Sequence, residues 1–86
     1  MTLLRCFRGV ESANSNLVER YEVDHAGTLR MFYANGHHSF VNAVSFEQGM
    51  ALLRRIEEAV AYNEPIFDAE RWIESTMDDF SEESKK

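Results

Sequence analysis

Histidine is the side chain that most often serves as a general base or a metal ligand near neutral pH, and this chain has three, His25, His37 and His38. His25 falls in one predicted turn and the other two lie at a second turn, so the strand between the turns separates them by roughly 20 Å. His37 and His38 are consecutive on a predicted strand and therefore point to opposite faces. This spacing predicts solvated histidines at turns and no metal or catalytic centre.

The other residues that can carry chemistry lack the context that a catalytic site needs. The four glycines are isolated, so no phosphate-binding loop is predicted, and no serine lies in the Gly-x-Ser-x-Gly pattern of a nucleophile elbow. The single cysteine, Cys6, excludes an internal disulfide and a Cys-x-x-Cys metal site. It is interpreted as a buried apolar residue, with a reactive or intermolecular thiol as the alternative. We therefore predict a protein without enzymatic activity, cofactor or bound metal.

Charge is distributed unevenly along the 86 residues, whose formal net charge is −6. Residues 1–43 hold four basic and four acidic side chains, whereas residues 44–86 hold five basic and eleven acidic ones. Such a protein is repelled by nucleic acid and by anionic membranes and is attracted to basic protein surfaces. Arg5 and Arg8 interrupt the N-terminal segment and no apolar run approaches the length of a membrane span. The predicted location is the cytoplasm.

The densest acidic pattern lies near the C-terminal end of the sequence. Glu70, Glu74 and Asp78 recur at every fourth position, which in a helix places one carboxylate about every 6 Å along the axis. Asp68, Asp79, Glu82 and Glu83 add to this predicted stripe. It is interpreted either as a solubilising helix face or as a partner-binding surface that occupies a basic groove in place of phosphates.

Asn35-Gly36 is a strong hairpin signal, because a two-residue type I′ turn needs positive φ at both central positions. A two-residue loop pairs Tyr33 with His38 and Met31 with Phe40, and paired residues share a face. The face predicted to meet the helices carries Leu29, Met31, Tyr33, His38 and Phe40. The opposite, open face is predicted to bind a partner or a second copy of the chain through Arg20, Arg30, Phe32, His37 and Val41.

The loop His25-Ala26-Gly27 predicts a second hairpin, in which a type I turn is followed by glycine in a left-handed bulge. That loop pairs Val23 with Leu29 and makes Thr28–Ala34 the central strand. Further strands are predicted at 2–8 and 17–23, with a loop over 9–16. The sequence therefore predicts a four-stranded antiparallel meander with sheet order 1-2-3-4.

Two helices follow the strands. Ser45 and Gln48 form a capping box that starts a helix at Phe46, in which Gln48 faces water and which ends before Pro65. Asp68 caps a second helix that runs from Ala69 to about Phe80. We therefore predict an α+β fold of order ββββαα with both helices packed on one face of the sheet. Residues 1–80 are predicted to form a single domain and residues 81–86 a frayed polar tail.

These features favour a small acidic interaction protein that inhibits or regulates a nucleic-acid-handling complex without binding nucleic acid or a membrane itself. In size, charge and architecture the chain is similar to phage and mobile-element proteins that block restriction or CRISPR effectors. The likeness rests on no motif and therefore implies no site residues. The alternative is a structural or assembly subunit that forms a homodimer or larger oligomer through the open sheet face. A small-molecule sensor or minor enzyme is the third and least supported hypothesis.

Overall fold

A computed structural model describes residues 2–7, 10–34 and 36–80 of the chain. Its elements in chain order are β1 Leu3–Phe7, β2 Val10–Asn14, a 3₁₀ turn Ser15–Leu17, β3 Val18–Val23, β4 Thr28–Tyr33, β5 His38–Asn42, α1 Phe46–Ala61, β6 Ile66–Asp68 and α2 Ala69–Phe80. The α+β class is confirmed. The predictions for the side chain of Cys6 and for the tail 81–86 lie outside what the structure describes.

The strands form two three-stranded sheets instead of one four-stranded meander. The first sheet has the order β2-β1-β6, in which β1 is antiparallel to β2 and parallel to β6. The second sheet is the antiparallel meander β3-β4-β5. The predicted order 1-2-3-4 is therefore wrong, and the predicted loop over 9–16 contains β2. Pairing of Leu3 with Ile66 joins distant parts of the chain, and no local turn signal encodes such a parallel contact.

The hairpin between β3 and β4 has the predicted register. Val23 lies opposite Leu29, and Gly27 adopts a positive φ of 94°. The Asp24 carboxylate accepts hydrogen bonds from the backbone N–H groups of Ala26 and Thr28, each at 3.0 Å, and so fixes the loop. A register shift between Val18 and Arg20 then places Val18 opposite Tyr33, where uninterrupted pairing from Val23 would place Glu19. One extra residue bulges out of the strand at that point.

The hairpin between β4 and β5 has a different register from the predicted one. The Tyr33 N–H donates to the His37 carbonyl at 2.9 Å, and Gly36 has a φ of 87°. Three residues therefore separate Tyr33 from His37, where the Asn35-Gly36 signal predicted a loop of two. A shift of one residue moves every side chain of β5 to the opposite face. Ser39 and Val41 are consequently buried on the helix-covered face, whereas His38 and Phe40 belong to the open face, opposite to their prediction.

Helix α1 begins where the sequence predicts, since the Ser45 hydroxyl accepts from the Gln48 backbone N–H at 3.1 Å. Its first turn packs directly on the β3–β4 loop. A Cβ atom added to Gly49 would lie 2.8 Å from the Gly27 carbonyl oxygen and 2.9 Å from Val23 Cγ1. Two glycines thus allow a helix and a turn to approach more closely than any side chain permits.

The end of α1 combines two backbone hydrogen bonds with a left-handed residue. Asn63 has a φ of 55° and donates to the Val60 carbonyl at 3.1 Å. The Glu64 N–H donates to the Ala59 carbonyl at 2.9 Å. These two bonds form a Schellman motif, which satisfies carbonyls that the helix end would otherwise leave unpaired. The chain then turns through Pro65 into β6.

One hydrophobic core joins both sheets and both helices. Helix α1 packs on β3 and β4, and α2 packs on α1 and on β1 of the other sheet. Ile56 and Leu52 of α1 are fully buried together with Leu29 and Met31 of β4. The remaining buried apolar residues are Leu4, Val41, Ala59, Phe67, Ala69 and Ile73.

Candidate functional site

Helix α2 holds the predicted acidic stripe and is anchored at its first turn and along one face. The Asp68 carboxylate accepts from the Arg71 N–H at 3.0 Å, which confirms the predicted helix cap. Ala69 and Ile73 are buried, and the indole of Trp72 packs against the core. These residues share one face of the helix with the half-buried Thr76, and the opposite face of α2 is directed toward solvent.

A buried glutamine fixes α2 to α1. Gln48 has no exposed surface, and its side-chain amide donates to the Ile73 carbonyl and to the Thr76 hydroxyl, both at 3.0 Å. Its carbonyl oxygen accepts from the Val44 N–H at 2.7 Å. The prediction that Gln48 faces water is therefore wrong. A polar residue type predicts exposure, so nothing in the sequence indicated that Gln48 is buried. Its place in the capping box was the one sequence feature that assigned it a structural role.

We define the acidic ridge as Glu70, Glu74, Asp78 and Asp79, four exposed residues of α2. Within residues 2–7, 10–34 and 36–80, none of these carboxylates forms an ion pair. Arg71 is also exposed on this helix and is the one basic residue of α2. Asp68 differs from the ridge, because it is half-buried and holds the helix cap. The structure therefore leaves negative charge at the surface of α2.

The ion pairs that the structure does describe lie elsewhere. Arg55 of α1 donates two hydrogen bonds to the Glu64 carboxylate, at 2.9 and 2.8 Å, and lies 3.6 Å from Glu58. These bonds hold the pKa of Glu64 below its usual range and raise the pKa of Arg55. The Arg55 guanidinium also lies 5.3 Å from the centre of the Phe67 ring. The charges of α1 are thus satisfied within the molecule to a degree that those of α2 are not.

Asp24 shows the same internal use of charge near the first turn. Hydrogen bonds from the Thr28 backbone N–H and from Arg30 lower the pKa of Asp24, and the Arg30–Asp24 contact is 2.9 Å long. Arg20 and Glu22 form a further ion pair of 2.8 Å on β3. The two arginines predicted to bind a partner through the open sheet face are therefore already paired with carboxylates of the same chain.

Phe32 lies on the open face of β3-β4-β5, as the sequence predicts, but it has neighbours on both sides. The Arg20 guanidinium lies 4.1 Å from the centre of the Phe32 ring. On the other side the His38 ring centre is 5.7 Å away, tilted by 31°. Phe32 is consequently half-buried. A cation held over the ring face in this way is an attractive contact, which reduces the apolar surface that Phe32 offers to a partner.

Two members of the predicted open-face site lie elsewhere. Val41 is only 7% exposed and belongs to the core, so its assignment to the open face is wrong. The one-residue difference in the β4–β5 loop is the cause. His37 is exposed and precedes β5, at the end of the sheet. Phe40, which the two-residue loop placed in the core, takes the open-face position opposite Arg30.

Two grooves of about 350 Å³ each flank α1. The first lies between α1 and β3 and is lined by Ser15, Val18, Tyr21, Glu57, Val60 and Ala61. Burial, followed by the negative charge of Glu57, raises the pKa of the Tyr21 hydroxyl. The second lies between α1, β6 and α2 and includes the Arg55–Glu64 pair together with Arg71 and Trp72.

Across the part of the chain that the structure describes, no three His, Cys, Asp or Glu side chains lie close enough to hold a metal ion. His25, His37 and His38 are all exposed. None of the described helices has both the length and the apolar character to cross a lipid bilayer.

Comparison of this chain with protein-family models, with curated proteins and with solved structures found no match.

Proposed function

We propose that this protein is a small, non-enzymatic cytoplasmic interaction module that inhibits or regulates a nucleic-acid-handling complex by occupying a basic groove. The observation that carries the proposal is the acidic ridge of α2, whose four carboxylates are exposed and have no ion-pair partner among residues 2–7, 10–34 and 36–80. A groove lined with lysine and arginine attracts such a ridge by the same electrostatics that it uses for phosphates.

The spacing of the ridge supports the same conclusion. Glu70, Glu74 and Asp78 follow one another at about 6 Å along the helix axis, so a partner meets a line of negative charge and not a single carboxylate. Like charges at this spacing oppose the helix, and the helix tolerates them because its other face is buried at Ala69 and Ile73. Arg71 reduces the net negative charge of α2, so it weakens the attraction of the carboxylates for a basic groove.

The first experiment is capture of partners from a bacterial lysate on the immobilised protein, followed by elution along a salt gradient. Binding through the ridge is expected to fall steeply between low and physiological salt, because exposed charges are screened over about 10 Å at 0.1 M ionic strength. A captured partner whose affinity is unchanged over that range would exclude the decoy mechanism.

Matched variants make this experiment specific. Glu74→Gln combined with Asp78→Asn removes two ridge charges with little change of shape, and we expect about tenfold weaker binding at low salt. Glu19→Gln combined with Glu57→Gln makes the same change in net charge at exposed sites on β3 and α1, and binding should stay near that of the unmodified protein. Equal losses in both pairs would show that overall charge, and not the ridge, determines binding.

Assembly through the open sheet face is the alternative function, and two half-buried aromatic residues of that face, Phe32 and Phe40, favour it. Aromatic side chains among polar neighbours are common anchors of interfaces. Sedimentation of Phe32→Asp beside the unmodified protein tests it. A lower mass for the variant supports assembly through this face, and an identical mass for both excludes it.

A further inference from the structure

No strand of the described part of the chain pairs with the outer edge of β3. Within residues 2–7, 10–34 and 36–80, β3 is the terminal strand of the sheet β3-β4-β5 and pairs with β4 only. Asp24 donates its N–H to the Thr28 carbonyl, so the even-numbered residues of β3 bond to β4. In an antiparallel ladder the alternate residues, Tyr21 and Val23, direct their N–H and C=O groups to the other side. An edge with free backbone groups is a template for another strand.

The charges beside this edge are self-complementary. Arg20 and Glu22 lie two residues apart on one face of β3, and their side chains are 57% and 53% exposed. If a second copy pairs antiparallel with its Tyr21 opposite this Tyr21, each Arg20 faces a Glu22 of the other copy. A two-fold axis makes this contact occur twice. Pairing centred on Arg20 or on Glu22 would instead place two like charges opposite each other, which is unfavourable.

Charged residues on an edge strand usually prevent pairing with another strand. On β3 a positive residue and a negative residue lie on either side of Tyr21, so pairing about Tyr21 brings opposite charges together. With the axis at Tyr21, the outward backbone groups of Tyr21 meet those of the second Tyr21, which is the geometry of a hydrogen-bonded antiparallel pair. The backbone alternation allows an axis at Tyr21 or at Val23. The charge pattern selects Tyr21, because an axis at Val23 would place Glu22 opposite Asp24 of the other copy.

The groove between α1 and β3 supplies apolar surface at the same place. Val18, Tyr21 and Val60 line it, and Val60 remains 40% exposed. Leu17, the residue before β3, is 66% exposed. Because Tyr21 would lie on the axis, the grooves of the two copies would adjoin and cover part of this apolar surface.

We propose that two copies of this chain form a homodimer by antiparallel pairing of their β3 strands about Tyr21, which extends two three-stranded sheets into one continuous sheet. The partner is a second copy of this protein, and the interface is isologous. This interface is formed by the edge of β3 and not by the acidic ridge, and it joins the sheets edge to edge, although Arg20 also belongs to the open sheet face. The proposal therefore goes beyond the function proposed above and does not depend on it.

Sedimentation over a concentration series tests the proposal with charge-reversed variants. The unmodified protein should dimerise as its concentration rises. Arg20→Glu and Glu22→Arg should each raise the dimer dissociation constant about tenfold or more, because two surface ion pairs become like-charge contacts. An equimolar mixture of the two variants should form a heterodimer, since each reversed side chain then faces its opposite in the other copy.

The mixture separates this interface from an intramolecular role of the same residues. Neither variant can restore the Arg20–Glu22 pair within its own chain, so rescue requires pairing between chains. Arg54→Glu makes the same charge change as Arg20→Glu at an exposed site of α1 and should leave dimerisation intact. Circular dichroism establishes that each variant is folded. A monomeric unmodified protein throughout the series, or a dimer that both reversals leave unchanged, would overturn the proposal, as would a mixture without heterodimer.

Discussion

The two helices of this protein have similar amphipathic patterns but differ in whether their charged side chains form ion pairs. In α1 the guanidinium of Arg55 is shared between Glu58 and Glu64. In α2 the carboxylates of Glu70, Glu74 and Asp78 have no such partner among residues 2–7, 10–34 and 36–80. The difference shows that, among the described residues, α1 places carboxylates in ion pairs and α2 does not. The proposed function assigns these exposed carboxylates to a basic partner.

The largest expected loss of stability comes from removing the side-chain contact that joins the two helices. Gln48→Ala removes an amide that joins Val44, Ile73 and Thr76, leaves polar groups unpaired and creates a cavity. We expect it to lower the free energy of unfolding by about 2–4 kcal/mol, measured by urea denaturation. Thr76→Val removes one acceptor of this amide and the hydrogen bond from the Thr76 hydroxyl to the Trp72 carbonyl, and it should lower the free energy of unfolding by about 1 kcal/mol. Equal effects of the two substitutions would contradict a central role for the glutamine.

The next effect concerns α1 alone. Gly49→Ala places a methyl group 2.8 Å from the Gly27 carbonyl oxygen, and neither backbone segment can move away freely. The gain in helix propensity is about 1 kcal/mol, and we expect a net destabilisation of about 1–2 kcal/mol by thermal or urea unfolding. Arg54→Ala on the exposed side of the same helix should stay within about 0.5 kcal/mol. A Gly49→Ala protein as stable as the original would show that α1 can shift off the turn.

A smaller effect appears in the pH dependence. Because Arg55 lowers the pKa of Glu64, the folded state binds protons less readily than the unfolded state. The stabilisation is therefore complete above the ordinary glutamate pKa of about 4.3 and is lost as the pH falls through the lowered value. Arg55→Met should reduce stability near neutral pH, and its difference from the unmodified protein should narrow toward about pH 3 in urea titrations. If the difference in stability between Arg55→Met and the unmodified protein does not depend on pH, then Arg55 stabilises the fold through its contact with Phe67 and not through its ion pair with Glu64.

The smallest effect has the opposite sign and concerns α2. Glu74→Gln relieves repulsion from Glu70 and Asp78, and each like-charge pair opposes the helix by about 0.2–0.5 kcal/mol. We therefore expect a slight gain in stability at low salt that disappears at high salt. Glu57→Gln in α1 has Leu53 and Ala61 at the corresponding positions and should give no gain. A ridge variant that is more stable yet binds its partner less tightly would sharpen the contrast between the helices.

The helices were predictable because their signals are local. Ser45 and Asp68 cap them as predicted, and Pro65 follows the end of α1. The first hairpin was predictable for the same reason, since Gly27 needs a left-handed conformation at a defined position of the loop. Exposure of the acidic ridge followed from helical periodicity once the bounds of α2 were known.

The features that the sequence did not predict depend on contacts between distant parts of the chain or on the exact length of a loop. The Asn35-Gly36 signal favours a two-residue loop, and the three-residue loop that forms reverses the faces of Val41 and Phe40. The pairing of β1 with β6 depends on the closure of most of the chain. The burial of Gln48 depends on where α2 packs, which no pattern within α1 can indicate.

The hydrogen bonds of Gln48 to Ile73 and Thr76 have a consequence for the proposed binding through the acidic ridge. They fix the rotation of α2 before any partner is present, so the ridge carboxylates do not have to be brought into line on association. A preorganised surface loses less conformational entropy when it binds. Loosening this buried contact should therefore weaken binding even if every carboxylate is retained.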